Sequence, residues 1–97
     1  MSERIEIENV VSPGRVVRVD KAKYDAMRGA LLAVLPPAAP GLTVAEAKQK
    51  VLPLLPQDLF PAGAKAGWWL KAAQLDLEAK GSIEREATKP LRLHRKQ

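Results

Sequence analysis

Few residues in this chain could do chemistry. His94 is its only histidine, flanked by Leu93 and Arg95, and cysteine is absent. That removes thiol nucleophiles, disulfides and thiolate ligands, and one histidine without cysteine argues against a structural zinc site. Glu84 and Glu86 fall on one face of a short strand, but Arg85 stands between them, and neither a nucleophile nor an oxyanion donor accompanies them. They read as surface carboxylates, and His94, on an edge hairpin, reads as a solvated strand residue rather than a general base. The segment from Gly63 to Gly67 is too short for a phosphate loop and lacks the following Lys and Ser or Thr. A non-catalytic protein with no cofactor and no metal is expected.

Binding chemistry has more to work with. The chain has 97 residues with 16 Lys and Arg against 11 Asp and Glu, a net charge of +5. Residues 85–97 carry Arg85, Lys89, Arg92, Arg95 and Lys96 against Glu86, and residues 15–28 hold five bases against two acids, so these two segments account for the excess. Such clustering suits nucleic-acid phosphate, although solvated terminal charge is the plainer reading. The composition, 46% hydrophobic and 28% charged, is that of a folded globular chain. The longest apolar run is Ala30 to Leu35, far short of a membrane span, and Met1 to Arg4 carry no apolar signal region. A cytoplasmic protein with no membrane partner is expected.

The elements that position these residues are marked by punctuation. Ile5 and Ile7 alternate with Glu6 and Glu8, and Val17 and Val19 flank Arg18 beyond a Ser12, Pro13, Gly14 turn, which predicts an N-terminal strand or hairpin arm over residues 1–19. Residues 20–97 form the main domain. Asp20 caps a first helix over 21–35 that Pro36 and Pro37 stop. Thr43 and Glu46 have capping-box spacing for a second helix over 44–52, ended near Pro53. A third helix spans 64–80, closed by Gly81, and Ser82 to Glu86 then pairs with Leu91 to Arg95 as a hairpin.

This α+β order of three helices and a hairpin resembles a winged helix, a helix-turn-helix relative with a β-hairpin wing. The most specific piece is Leu77, Glu78, Ala79, Lys80, Gly81, Ser82, Ile83, Glu84, Arg85, similar to the helix-to-wing junction of many bacterial winged-helix proteins. The stretch Gly63, Ala64, Lys65, Ala66, Gly67, Trp68, Trp69, with Thr88 to Arg92, resembles a small family of bacterial proteins of this size with a winged-helix-like fold and no assigned activity. Two features depart from DNA-binding members. The connection from Pro53 to Gly63 is long for a helix-turn-helix turn, and the third helix has no cleanly polar outer face.

Winding that helix places Ala66, Leu70, Ala73 and Leu77 on a core stripe and Ala64, Trp68, Ala72, Leu75 and Ala79 on a second apolar stripe. Trp68 and Leu75 are expected to be covered by Ile5, Ile7, Val17 or Val19, leaving Trp69, among Lys65, Asp76 and Lys80, as the exposed ring. Two functions follow. In the first, duplex DNA is bound weakly, with Lys65, Lys71 and Gln74 as readers and Lys89, Arg92, Arg95 and Lys96 on phosphates. In the second, the chain is a protein-interaction or dimerisation module using Trp68, Trp69 and Leu75.

Overall fold

The computed structural model describes residues 3–96. Two antiparallel strands open the chain, β1 (Arg4–Glu8) and β2 (Val16–Asp20), in a register that pairs Ile5 with Val19 and Ile7 with Val17. Ile7 and Val19 point inward and are buried, while Val16 and Val17 remain exposed. Both inward side chains join the same buried cluster as the helices, so this hairpin is part of the core wall.

Helix α1 (Lys21–Val34) begins where expected, the Asp20 carboxylate accepting the Lys23 amide at 3.1 Å. It buries Tyr24, Met27, Ala30 and Leu31 and stops before Pro36. Helix α2 (Val44–Val51) carries the full capping box: the Glu46 amide donates to the Thr43 hydroxyl at 3.1 Å, and the Thr43 amide to the Glu46 carboxylate at 2.9 Å. Pro53 is accommodated by a single 3-10 turn, Leu52–Leu54.

Helix α3 spans Ala66–Ala79, two residues shorter at its N-terminus than expected, because Lys65 takes a left-handed conformation at φ 59° and cannot continue a helix backwards. Its far end closes as a Schellman motif: the Ser82 amide donates to the Leu77 carbonyl at 2.8 Å and the Gly81 amide to that of Glu78 at 3.1 Å, with Gly81 at φ +76°. Ile83 is thereby returned to the core beside Leu77, both of them buried.

The hairpin β4 (Ile83–Glu86) and β5 (Arg92–Arg95) has the expected register, Glu84 opposite His94 and Arg85 opposite Leu93. It gains a third strand that periodicity does not reveal. β3, only Leu42–Thr43, pairs antiparallel with β5, giving a sheet ordered β3-β5-β4. Gly41 makes this pairing possible: a Cβ there would lie 2.0 Å from the Leu93 carbonyl oxygen, and its φ of +86° suits glycine. β5 is also tied to the end of α1, the Arg95 amide donating to the Pro36 carbonyl at 2.8 Å. No helix among the described residues is long and apolar enough to cross a membrane.

Candidate functional site

The surface with the most chemical character lies along the outward side of α3. There the helix and the β1–β2 hairpin enclose an open cleft of about 370 Å³, with Gly67, Trp68, Lys71, Ala72 and Leu75 on the helical side. The opposite wall comes from Ile7, Glu8 and Val17, and the connecting turn adds Asn9, Ser12 and Arg15. The turn is held against the helix, since the Val10 amide donates to the Leu75 carbonyl at 3.3 Å. A second hollow of about 290 Å³ lies across Lys71, lined by Val11, Val44, Arg85 and Leu91 as well as Gly67 and Leu75. The cleft is mainly apolar, and two of its residues, Arg15 and Lys71, make no ion pair among the described residues.

The two tryptophans are exchanged relative to the sequence expectation. Trp69 is 7% exposed and Trp68 58%. Trp69 sits under the loop after α2, where Phe60 meets it edge-on at 6.5 Å between ring centroids, and Trp68 lies edge-on to Trp69 at 4.9 Å. The buried arc of α3 therefore runs through Ala66, Trp69, Leu70, Ala73, Asp76 and Leu77, taking in the side that had read as polar. Ile7 and Val19 are buried beside the helix as expected, but they leave Trp68 uncovered and Leu75 half-buried.

The arc is wide because its one carboxylate is fully compensated. Asp76 is completely buried and accepts from the Tyr24 hydroxyl, from the Glu8 amide at 2.8 Å and from the Lys80 ammonium at 2.9 Å. Burial, followed by the bond to Asp76, pushes the Tyr24 hydroxyl well above its ordinary pKa. Asp76 thus fastens β1 and α1 to α3. Sequence reading missed it; its one local signal is a position three residues after Ala73 and one before Leu77, inside the core arc.

The expected DNA readers are not brought together as a set. Lys65 and Lys71 are exposed, but Gln74 is 5% exposed, and its amide donates to Glu78 at 3.0 Å. Glu78 also receives the Arg85 guanidinium, Nη2 at 2.9 Å. That network holds the Gln74 side chain inward. Along the wing, Lys89 is exposed, Arg92 donates to the Gly41 carbonyl at 3.0 Å, and Arg95 donates through Nε to the Leu35 carbonyl at 2.9 Å. Lys96 lies 3.9 Å from Glu84. Three of the four cations assigned to phosphate therefore have partners within the chain.

His94 also departs from expectation: it is buried, 8% exposed. Its Nδ1 is 3.0 Å from the Arg95 carbonyl, and its Nε2 is 3.4 Å from Glu86 Oε2 and 4.0 Å from Glu84 Oε1. The Arg95 carbonyl, together with the two carboxylates, holds the imidazole above its ordinary pKa. Glu84, Glu86 and His94 each offer a ligand atom within 4.8 Å of the others, the group among the described residues with the makings of a metal site. Its signal in the sequence is cross-strand register, which places Glu84 opposite His94 and Glu86 two residues along the same face.

Among the described residues, three α-helices and two small sheets, the second containing the C-terminal hairpin, make this an α+β protein. The chain belongs to a family of unknown function, DUF6958, whose profile matches residues 4–93. Comparison with curated proteins and with solved structures yields no match.

Proposed function

We propose that this chain is a non-catalytic, winged-helix-like interaction module that docks a protein segment in the cleft between α3 and the β1–β2 hairpin. The winged-helix reading is supported by β3, the short strand before the second helix, which pairs with the last strand of the hairpin to give the order β3-β5-β4. The observation that carries the docking reading is Trp68, a large ring 58% exposed beside an apolar cleft. Arg15 and Lys71 outweigh the single carboxylate of Glu8 there, so the fitting partner presents an apolar side chain flanked by acids. A groove-reading helix needs a polar face that protrudes, and α3 instead lies beside the hairpin with an apolar one.

Weak DNA binding through the wing is the second reading, favoured by exposed Lys89 and by Arg95 and Lys96 at the chain's basic end. The two tryptophans give two indole N–H signals, which makes the test direct. An amphipathic helical peptide with a leucine stripe and glutamate flanks should shift the Trp68 signal saturably. The same peptide with lysine flanks should not, and Trp68→Ala should weaken binding at least tenfold, a loss of about 1.4 kcal/mol or more. An indole signal unmoved by peptide, with wing amides moved instead by duplex DNA at about 50 mM salt, overturns the docking reading in favour of DNA.

A further inference from the structure

The wing carries a second arrangement, independent of the cleft. A carbonyl oxygen only accepts, so the contact between His94 Nδ1 and the Arg95 carbonyl fixes the ring proton on Nδ1. In the neutral imidazole Nε2 is then a bare lone pair. It faces Glu86 Oε2 at 3.4 Å and Glu84 Oε1 at 4.0 Å, so three acceptors converge with no donor among them. Such a set favours positive charge between its members, either a proton on Nε2 or a bound cation. Of the surrounding cations, Lys96 lies 3.9 Å from the other Glu84 oxygen, and Arg92, on the same strand face, is spent on the Gly41 carbonyl and Glu46.

We propose that Glu84, Glu86 and His94 bind a divalent transition-metal cation of the zinc type on the outer face of the wing. Zinc takes nitrogen and oxygen ligands at about 2.0–2.2 Å, which puts neighbouring ligand atoms roughly 3–3.5 Å apart. The Glu86 oxygen already stands at that spacing from Nε2, and the Glu84 oxygen, on an exposed side chain, stands 4.0 Å from it, with all three ligand atoms within 4.8 Å of one another. The histidine is the rigid member: it is buried, and Gly41 approaches so closely that a Cβ there would lie 3.1 Å from the His94 Cβ. A ligating imidazole whose other nitrogen donates to a carbonyl has the outer-shell support that metal-binding histidines ordinarily have. Imidazole with two carboxylates favours zinc, cobalt or nickel over calcium or magnesium. Two carboxylates also neutralise the ion, and three protein ligands leave positions open for water or a partner's side chain. The shortage of histidine and cysteine argues against a closed four-ligand structural site, and this open three-ligand site is a different object.

Because His94 is the only histidine, an untagged, uniformly labelled protein gives one imidazole spectrum. Titrating zinc chloride at about pH 7.5, above the ordinary histidine pKa, should move the Nε2 resonance saturably at one equivalent. Affinity should fall up to tenfold per pH unit once His94 is protonated, because metal and proton compete for Nε2. His94→Ala removes a buried ring and so confounds folding with binding; the decisive variant is Glu84→Gln with Glu86→Gln, which keeps the imidazole and should weaken zinc binding at least tenfold. An imidazole that titrates with acid but ignores zinc means the proton alone fills the site and overturns the proposal. Zinc binding unchanged in the double variant overturns it equally.

Discussion

Asp76 shows how much one side chain can hold here. It has three donors, and each removal exposes a different debt: a buried carboxylate that loses a partner keeps its desolvation cost. Tyr24→Phe deletes the hydroxyl without changing shape and is expected to cost about 1–3 kcal/mol, read as a lower urea midpoint at unchanged slope. Asp76→Ala strands the Tyr24 hydroxyl and the Glu8 amide together and should cost more, about 3–5 kcal/mol. Gln74→Ala, whose amide reaches the better-supplied Glu78, should cost less than either. His94 gives a pH dependence of definite sign. Its folded pKa is raised, so its contribution is complete below the unfolded value of about 6.5 and is lost as pH rises through the folded pKa. In chelator-treated buffer, the melting temperature of the wild type relative to Glu86→Gln should therefore be highest on the acid side and converge above that pKa. Neither residue was legible from local pattern: Asp76 is partnered across 52 and 68 residues of sequence, and the burial of His94 depends on a loop docked against its strand.

At the scale of elements, the ends were legible and the coverings were not. Asp20, the Thr43–Glu46 box, Pro36 and Gly81 act on backbone groups a few residues away, so α1, α2 and the exit from α3 sit within a residue or two of expectation. Which flank of α3 is covered depends on distant segments, and the covering of Trp69 by Phe60 exchanged the two rings. β3 escaped because two residues carry no periodicity, yet its seat is among the most constrained in the chain. Gly41→Ala drives a methyl into the Leu93 carbonyl and strains a positive φ. It should separate β3 from β5 and lower stability by several kcal/mol, whereas Gly14→Ala, with open space around it, should cost only its backbone strain. Paired melting curves check this.

At the scale of the whole molecule, residues 4–20 are as much a wall of the core as an arm, which their alternating pattern alone does not disclose. A chain lacking residues 1–19 loses the buried contacts of Ile7 and Val19 and the Glu8 amide on Asp76. It is expected to melt earlier or to aggregate, and a truncated protein as stable and monomeric as the full chain would show that the hairpin is dispensable. The same hairpin is also one half of the cleft, fastened to α3 by the amide of Glu8 at one point and that of Val10 at another. Stability and occupancy are therefore linked through two protons that deuterium can replace. A ligand bridging the hairpin and α3 should slow exchange at Glu8 and Val10 by the factor 1 + [L]/Kd, while amides deep in α1, which open only on global unfolding, gain the same factor from a much slower starting rate. Amide exchange at these two positions then measures affinity for a partner independently of the Trp68 signal.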